Sequence, residues 1–460
     1  MCIDSFFDAL IFFIIVKYRF MEKFSLIISS DPQYPWYDGV YPNNLDKSKE
    51  KENSSRQITQ QYRDMSCIQE ESDLSKNYPV QGVVINGDLT SFGHEPELNK
   101  MMECFEFLSH KIFPSLGNHD YKNNVHDTLN DQAATRMVKY MFDWLKYNQE
   151  NLNLNFDFIE RKYYKFPELR TDFIGSLAYS FNIPIDNENK VHLINLQNYP
   201  SYTNEWNSWN TSGARRDFFY IKSSYLWFEN DLAIARNRGD IIIVFVHDVG
   251  DEFSRKSEDY KKFALLLEKY SVSAVFAGHI HSDCGRNLSI SEGILVPIPF
   301  FRSGSASYQN YLIALFELDN ETPKMKIVKR ESKTLDGKYT DNLLQDGEIK
   351  LLCPTPNPPL PVPSKYDYVT FFNEGGYVAR FFLTYEIENE KIECKTGRMA
   401  LENKKTFDIP IGAVNIHIKA ECDAVYKWSK IFDIDLDTSP NKCYKVYGTV
   451  FAPKWNNNCN

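Results

Sequence analysis

Apolar runs of strand length recur along the chain up to residue 329, and small or polar residues follow each of them. Residues 83–86 run directly into Gly87-Asp88, for example, and residues 241–246 run into His247. Amphipathic stretches with helical spacing separate several of these runs. Strands that alternate with helices are typical of α/β proteins with a parallel sheet, so we predict an α/β fold for this part. The predicted strands are 24–28, 83–86, 112–116, 241–246, 272–277, 311–318 and 325–329, the predicted helices are 95–108, 127–145, 223–236 and 260–270, and the predicted hairpin pairs 179–183 with 190–196.

The remainder of the chain has a different pattern. Residues 354–363 are rich in proline, which supplies no backbone N–H for a sheet or helix, so we interpret 332–366 as a semi-rigid linker. Four stretches beyond it alternate apolar and polar residues between turns, as half-buried strands do: 377–387, 405–409, 414–421 and 444–451. We therefore predict an N-terminal extension at 1–20, an α/β domain at 21–331, the linker at 332–366 and an all-β sandwich at 367–460.

The polar residues that follow the apolar runs share one chemical character, since they are carboxylates, amides and imidazoles. The carboxyl ends of parallel strands meet at one edge of a sheet, so we expect these side chains to form one site. Taken singly, each would be explained as a helix cap, a turn residue or a buried histidine. Five such groups after five strands are not explained by separate structural needs. The candidate residues are Asp31, Gln33, Asp88, Asn118, His119, Asp120, His247, His279 and His281.

This mixture of oxygen and imidazole donors indicates which ions the site would hold. It suits Mn, Fe or Zn better than copper or calcium. The set is large enough for two divalent metal ions bridged by one carboxylate. Two such ions polarise a phosphate and make hydroxide available near neutral pH, so we predict a phosphate ester as the substrate.

Composition limits the partners of this site. The 460 residues are 43% apolar, which is enough to bury a large core in two domains. The formal net charge of -10 and the isoelectric point near 5.5 argue against stable nucleic-acid binding. Nine cysteines are spread along the chain without a C-x-x-C pair, so we predict mostly reduced thiols and no cysteine-based zinc site.

The N-terminal twenty residues leave the localisation open between cytoplasmic and secreted. Residues 6–18 are apolar, but Asp4 and Asp8 stand where a signal peptide has basic residues, and no small-x-small cleavage site follows. The run is also too short to span a bilayer securely. Two interpretations remain: a start upstream of the true one at Met21, or a weak signal or anchor.

The motifs occur in an order that resembles the calcineurin-like metallophosphoesterases over about residues 24–330. The order is Asp31-x-Gln33, Gly87-Asp88, Gly117-Asn118-His119-Asp120, His247 and Gly278-His279-x-His281. The resemblance implies a sandwich of two sheets flanked by helices, with a dinuclear metal centre. One position departs from the family pattern, because Gln33 stands where a histidine is usual. An amide oxygen is a harder donor than imidazole, which favours Mn over Zn.

The same resemblance implies roles for the residues. Asp31, Asp88 and His281, with Gln33, would hold one ion, and Asp88 would bridge to a second ion held by Asn118, His247 and His279. A metal-bound hydroxide would attack phosphorus, and His119, oriented by Asp120, would protonate the leaving oxygen as general acid. The Asp-x-Gln variant is similar to the branch that includes manganese-dependent ADP-ribose/CDP-alcohol diphosphatases, which does not set the substrate.

The tail resembles the C-terminal β-sandwich of thiol-activated, cholesterol-dependent cytolysins. The similar stretches are 376–381, 409–410, 415–422 and 447–454. Glu421-Cys422 is retained, but the loop 423–428 is shorter than in that family and has one tryptophan, and Val450-Phe451 stands where the family has Thr-Leu. The resemblance implies the fold, and it leaves membrane contact and protein contact open as uses of the domain.

These observations lead to one prediction of function and two alternatives. We predict a metal-dependent phosphoesterase acting on a small molecule or a lipid headgroup. The alternatives are a membrane- or surface-targeted, toxin-like phosphodiesterase of phospholipid headgroups and a degenerate metal-binding module. Arg302 either contacts substrate phosphate or pairs at the surface, and His192 is structural or exposed. Aromatic residues at 34, 36, 199, 202, 206 and 209 either form a rim for a base or acyl chain or simply pack.

Overall fold

The structure is a computed structural model. It describes residues 23–38, 49–71, 73–109, 111–163, 169–185, 190–210, 215–318, 323–334, 338–352, 366–387, 390–410, 413–424, 427–436 and 442–457. The chain divides into two compact units, Met1–Pro359 and Leu360–Asn460. The N-terminal extension, the proline-rich run 354–363 and the turn of the predicted hairpin lie outside the described residues.

The first unit contains sixteen strands and six α-helices among its described residues, and short helical turns lie at Asn118–Lys122 and Leu129–Asp131. In chain order the elements are β1 (Lys23–Ser29), α1 (Glu50–Glu71), α2 (Asp73–Asn77), β2 (Val80–Ile85), α3 (Glu95–Phe105), β3 (Ile112–Pro114), α4 (Gln132–Leu152), β4 (Asn155–Tyr163), β5 (Arg170–Pro184), β6 (Lys190–Asn195), β7 (Asn204–Asn210), β8 (Arg215–Ile221), α5 (Tyr225–Arg238), β9 (Ile241–Val246), α6 (Glu258–Lys269), β10 (Ala274–Ala277), β11 (Cys284–Ile290), β12 (Ile298–Ser303), β13 (Asn310–Glu317), β14 (Lys324–Glu331), β15 (Thr340–Leu343) and β16 (Ile349–Lys350).

The strands form two sheets that share one core. The first has the order β15-β14-β13-β1-β2-β3, with β16 paired to β14, and the second has the order β11-β12-β10-β9-β6-β5-β8-β7, with β4 paired to β5. Phe113 of β3 stacks on Phe181 of β5 with ring centroids 3.7 Å apart, so side chains of the two sheets meet directly. A second apolar layer packs α5 and α6 against β9 and β10. The predicted two-sheet α/β sandwich flanked by helices is confirmed.

Parallel pairing brings the predicted strand ends to one edge of each sheet. β1, β2 and β3 are parallel neighbours, and so are β6, β9, β10 and β12. The predicted apolar strands and the 179–183/190–196 hairpin correspond to observed elements, with ends shifted by a few residues. Strands β4, β7, β8, β11 and β12 were not predicted from the sequence.

Part of the stretch that we interpreted as linker belongs to the first sheet. β15 and β16 both pair antiparallel with β14. The apolar side chain of Leu351 is buried, and its N–H donates to Pro323 O at 2.8 Å. These strands are short and mostly polar in sequence, so only their pairing partner makes them strands.

The second unit is a sandwich of two four-stranded sheets. Its sheets have the orders β20-β17-β23-β24 and β19-β18-β21-β22, and every pair is antiparallel except β17 with β23. Phe371, Phe381 and Phe432 lie in the core between them. The predicted β-sandwich is confirmed. The strands are β17 (Tyr366–Asn373), β18 (Ala379–Ile387), β19 (Glu390–Lys395), β20 (Asn403–Pro410), β21 (Val414–Asp423), β22 (Trp428–Leu436), β23 (Lys442–Thr449) and β24 (Ala452–Asn456).

Two general features concern localisation and redox state. Within the described ranges, none of the helices combines the length and the apolar character needed to cross a bilayer. Among the described cysteines, those at positions 67, 104, 284, 394 and 422 are not disulfide-bonded, whereas Cys443 is. The prediction of mostly reduced thiols therefore has an exception in β23.

Candidate metal centre

The loops after β1 and β2 place the first group of acidic and amide side chains together. Asp31 N–H donates to Gly87 O at 3.1 Å, and Gln33 N–H donates to Asp88 O at 3.0 Å. Asp31, Gln33 and Asp88 all have left-handed φ angles, of 49°, 48° and 52°. Non-glycine residues adopt this conformation at a cost, and such strain is concentrated at functional sites. The two loops therefore hold these three side chains in a fixed arrangement.

Close backbone approach at two glycines completes the arrangement. A Cβ at Gly278 would lie 1.8 Å from Ser30 Oγ and 2.7 Å from Asp31 Oδ2, and a Cβ at Gly117 would lie 2.2 Å from Asp88 Oδ1. No larger residue fits at either position without movement of the neighbouring loop. Glycine is required there because the loops after β3 and β10 pass directly over the carboxylates.

Asp88, Asn118, His247 and His279 form one group of donors. His247 Nε2 is 3.2 Å from Asp88 Oδ2 and 3.1 Å from Asn118 Oδ1. His279 Nδ1 is 3.0 Å from Asn118 Oδ1. Donor atoms of Asp88, His247 and His279 all lie within 4.8 Å of one another, which suits a single ion. The geometry thus brings together the residues that the resemblance assigns to one of the two ions.

Asp31, Gln33 and His281 lie beside this group. His281 Nε2 is 3.5 Å from Asp31 Oδ1, and His247 Nε2 is 3.9 Å from the same oxygen. The other oxygen of Asp31 accepts the backbone N–H of His279 at 2.9 Å and the hydroxyl of Ser30. The side chain of Gln33 is buried, with 1% exposed.

Several buried atoms of the candidate metal centre have no hydrogen-bond partner within the protein. They are Asp31 Oδ1, Asp88 Oδ2 and both atoms of the Gln33 amide. A buried polar atom left unpaired costs about 1–3 kcal/mol, and more if the group is charged. Divalent ions bound here would satisfy these atoms. The residues therefore fit the metal ions that the donor set predicts.

The imidazoles support the same conclusion. Oxygen atoms lie near both ring nitrogens of each histidine: Asn86 O and Asn118 Oδ1 for His247, Asn118 Oδ1 and Asp251 Oδ2 for His279, and Asp31 Oδ1 and Asp38 Oδ2 for His281. A neutral imidazole has one N–H, so its second nitrogen would face an oxygen lone pair. Either a second proton or a metal ion removes that repulsion.

The electrostatic field at the site favours cations. Burial alone would lower the pKa of His247, but the charges of Asp88 and then Asp31 outweigh it and raise the pKa to about 10. Burial likewise lowers the pKa of His281, and the neighbouring carboxylates of Asp31 and Asp38 raise it to about 10. Burial raises the pKa of Asp31, while His247 and His281 lower it well below its usual range. Two or more positive charges are stable here, as protons or as metal ions.

The outer nitrogens of these histidines are held by partners that sequence reasoning missed. His281 Nδ1 is 2.7 Å from Asp38 Oδ2, and His279 Nε2 is 3.0 Å from Asp251 Oδ2. Carboxylates in this position fix the orientation of a ligating imidazole and raise its basicity. Neither residue follows an apolar strand in a recognisable motif, so the sequence carried no signal for them.

His119 lies next to the candidate metal ligands. Its backbone N–H donates to Asp88 Oδ1 at 2.8 Å, and its Nδ1 is 3.1 Å from Ser91 O. A donor at Nδ1 leaves Nε2 as the nitrogen that can exchange a proton with a substrate. The ring centroid of Trp36 is 5.4 Å away.

Asp120 has a different role from the one implied by the resemblance. Its oxygens accept the N–H groups of Leu89 and Gly117 at 3.0 Å each and both the N–H and the hydroxyl of Thr90 at 2.8 Å. The prediction that Asp120 orients the ring of His119 is therefore corrected: Ser91 O holds the ring, because the four donors around Asp120 use its oxygens. Asp120 fastens the loop after β2 to the loop after β3.

Arg302 is also placed differently from the prediction. It is not at the surface, since only 6% of it is exposed, and its guanidinium donates to Gly278 O and Val249 O. The guanidinium thus links the loop that carries His279 to the loop that carries His247. Of the proposed aromatic rim, Tyr202 and Trp206 are buried in the core, whereas Trp36 contacts His119 and His281. His192 is buried and paired with Asp231 at 2.7 Å.

Comparison with known families agrees with this geometry. The family described as calcineurin-like phosphoesterase matches residues 55–283, a stretch that includes Asp88, the 118–120 motif and the three histidines but not Asp31 or Gln33. The chain therefore contains a calcineurin-like phosphoesterase domain, and that family consists of metal-dependent phosphoester hydrolases that use divalent metals. The resemblance seen in the sequence is confirmed. A comparison with curated proteins found no match.

The second unit matches the model of a different family. The thiol-activated cytolysin beta sandwich domain matches residues 368–454. Among solved structures, the membrane-binding domain of pneumolysin is 10% identical, with 20% of this chain and 96% of that one covered, at a TM-score of 0.17. Suilysin from Streptococcus suis is 11% identical over 33% of this chain and 48% of its own, and listeriolysin O is 13% identical over 33% and 47%, both at 0.17. The chain thus spans about half the length of these two cytolysins.

Two arginines lie beside Trp428, the first residue of β22. The Trp428 ring lies 4.1 Å from the Arg380 guanidinium and 5.4 Å from that of Arg398. Arg380 also donates to Glu421 at 2.7 Å, and Arg398 pairs with Asp423. By contrast, Phe451 in the turn between β23 and β24 is 95% exposed.

Proposed function

We propose that the first unit hydrolyses a phosphate ester at a dinuclear centre, with His119 as general acid. Asp31, Gln33, Asp88 and His281 would hold one ion, and Asp88, Asn118, His247 and His279 the other, with Mn favoured by the Gln33 amide. The observation that carries the proposal is the convergence of buried, unpaired oxygens of Asp31, Asp88 and Gln33 beside three imidazoles. Two bound ions would polarise the phosphoryl group and activate water.

The residues of the chain have separate tasks in this reaction. His119 uses Nδ1 to hold Ser91 O, which fixes the ring and leaves Nε2 to give a proton to the leaving oxygen. The N–H of the same residue donates to Asp88 Oδ1, so the proposed general acid and the proposed bridging carboxylate keep a fixed relative position. Asp120 acts only as a positioning residue, because it binds the backbone of both loops.

The test compares ester hydrolysis with metal content. Metal-stripped full-length protein is assayed with p-nitrophenyl phosphate and bis-p-nitrophenyl phosphate after Mn, Zn, Fe or Mg is restored. We expect turnover that depends on metal, and a loss of about 100-fold or more in His119→Ala, as for removal of a general acid. Asp88→Asn should lose both turnover and metal. His126→Ala, an exposed histidine, is the control.

Three results would count against the proposal. Absence of bound metal would remove its basis. Stoichiometric metal without hydrolysis of either ester would favour the alternative of a metal-binding module. Full activity of His119→Ala would remove the general acid from the mechanism. Preference for one of the two esters decides between monoester and diester chemistry.

A second candidate function places the reaction at a membrane surface. The observation that favours it is Phe451, whose side chain is 95% exposed in a turn of the cytolysin-like unit. Transfer of this ring from water into lipid would remove its apolar area from water, which is favourable. Flotation of the full chain with phosphatidylcholine vesicles, with and without cholesterol, tests this; binding should be lost in Phe451→Ser and kept in Tyr147→Ser. Failure of the wild-type chain to float with either vesicle would exclude it.

A further inference from the structure

Trp36 is an aromatic residue with no assigned role that contacts the candidate metal centre. Its ring centroid is 5.4 Å from that of His119 and 6.2 Å from that of His281, at interplanar angles of 66° and 86°. The indole therefore lies beside both the proposed general acid and a metal ligand. It is 38% exposed, so a bound molecule can reach it.

The segment that carries Trp36 is hydrogen-bonded to Ser91, the residue whose carbonyl oxygen contacts the ring of His119. Ser91 N–H donates to Tyr34 O at 3.0 Å, and Ser91 Oγ donates to Gln33 O at 2.7 Å. Trp36 N–H closes a turn onto Gln33 O at 2.6 Å. Since Ser91 O also contacts the ring of His119, hydrogen bonds through Ser91 fix Trp36 and His119 relative to each other.

Asp38 fixes the indole itself. Trp36 Nε1–H donates to Asp38 Oδ1 at 2.8 Å, and Asp38 Oδ2 is 2.7 Å from His281 Nδ1. One carboxylate thus orients both the tryptophan ring and a metal-ligating histidine. With its N–H satisfied, the indole offers an apolar aromatic surface whose orientation is set before a ligand binds, which reduces the entropic cost of binding.

We propose that Trp36 forms the wall of a leaving-group subsite that selects esters with a planar aromatic leaving group. The inference rests on the proposed function, because it takes His119 as the donor to the leaving oxygen. That oxygen must come within about 3 Å of the imidazole during proton transfer. An aromatic ring bonded to it would be brought towards the indole, whose centroid is 5.4 Å from that of the imidazole, and aromatic rings attract each other at centroid distances of about 4.5–7 Å.

The test measures selectivity between two leaving groups of similar acidity and different ring area. Mn-loaded full-length protein is assayed with 1-naphthyl and phenyl esters, both as phosphate monoesters and as methyl phosphodiesters. We expect the ratio of kcat/KM for naphthyl over phenyl to fall about 2- to 12-fold in Trp36→Leu, as expected for loss of an aromatic pair. Trp36→Phe should largely keep the ratio. Trp209→Leu, in β7, is a control because this tryptophan is also exposed, at 54%.

The ratio distinguishes a subsite from a purely structural role. If Trp36 served only to hold the loop, Trp36→Leu would slow both esters equally, and the unchanged ratio would overturn the proposal. A fall in the ratio that Trp36→Phe also shows would likewise overturn it, because an aromatic ring would then not suffice.

A binding measurement separates this proposal from the proposed function. The probe is p-nitrobenzylphosphonate, which is not hydrolysed, titrated into the Mn-loaded chain by calorimetry. If no ester is hydrolysed, the phosphoesterase assignment fails. The titration then decides by itself whether Trp36 forms a binding subsite. Binding weaker by about 2- to 12-fold in Trp36→Leu than in wild type would support it, and equal binding would refute it.

Discussion

Replacement of Gly278 by alanine should disable the metal centre with little disturbance elsewhere. A Cβ there would lie 1.8 Å from Ser30 Oγ, 2.7 Å from Asp31 Oδ2 and 2.8 Å from Asn86 O. The φ angle of Gly278 lies outside the left-handed region. Alanine is therefore allowed by the backbone, and the effect of the substitution is steric alone. The loop after β1 or the loop after β10 must move.

The magnitude follows from what those contacts hold. Asp31 Oδ2 accepts His279 N–H at 2.9 Å, so displacement of Asp31 also moves His279, a proposed ligand of the second ion. Overpacking of a buried position costs about 1–3 kcal/mol in the free energy of unfolding. Loss of ligand alignment should weaken Mn binding by about 10- to 100-fold, as for disturbed outer partners of a metal site.

The assay combines urea unfolding, calorimetric Mn titration and ester turnover. Gly376→Ala is the matched control, because its added Cβ would meet only Gly448 O, at 3.9 Å. We expect normal unfolding and metal binding in the control. Two Mn ions bound with unchanged affinity in Gly278→Ala, together with unchanged turnover, would refute the packing argument.

Three further predictions follow from the buried ionic groups. Mn binding should strengthen from pH 6 to pH 9 and release protons, because His247 and His281, with pKa values raised to about 10, must lose protons to bind metal; calorimetry in buffers of different ionisation enthalpy measures this. Arg302→Met should lower the free energy of unfolding by about 2–4 kcal/mol in urea, since two buried carbonyls lose a charged donor. Asp231→Asn should cost about 3–5 kcal/mol by the same assay, because it breaks the buried pair with His192.

Each of these has its own control and contrary outcome. Metal binding without proton release at pH 7 would show that the imidazoles are already neutral. Arg161→Met, at an exposed position in β4, is the control for Arg302, and equal unfolding of the two variants would contradict the structural role. His192 lies in β6 and Asp231 lies in α5, and neither is a candidate metal ligand, so Asp231→Asn should leave Mn affinity unchanged in the folded protein; a loss of affinity would contradict this.

The sequence alone was sufficient for the parts of the fold that have a strong local pattern. Fully apolar runs such as 241–246 are typical of buried strands, and the residues after them could be assigned to one site because parallel strands end at the same edge. The cytolysin-like sandwich was likewise predictable from alternation between turns. Strands β15 and β16 were not, because their residues are polar or few and become strands only by pairing with β14.

The candidate metal ligands could be predicted from local sequence motifs, whereas the side chains that contact those ligands could not. Asp88 and His247 stand in motifs that a reader of the sequence can recognise, because chemistry requires those residue types after those strands. Asp38 and Asp251 reach His281 and His279 across 243 and 28 positions, respectively. No periodicity relates positions so far apart.

The roles of Asp120 and Arg302 show the same division. Their residue types suggested contact with the acid or the substrate, yet both bind backbone groups of the loops that carry the ligands. A charged side chain is satisfied by whichever donors or acceptors the fold brings within about 3 Å, and that choice depends on loop paths. The sequence by itself determined the candidate donor set and the apolar strands that precede it; the tertiary structure alone decided which groups hold those donors in place, because hydrogen bonds act over distances that only the folded chain defines.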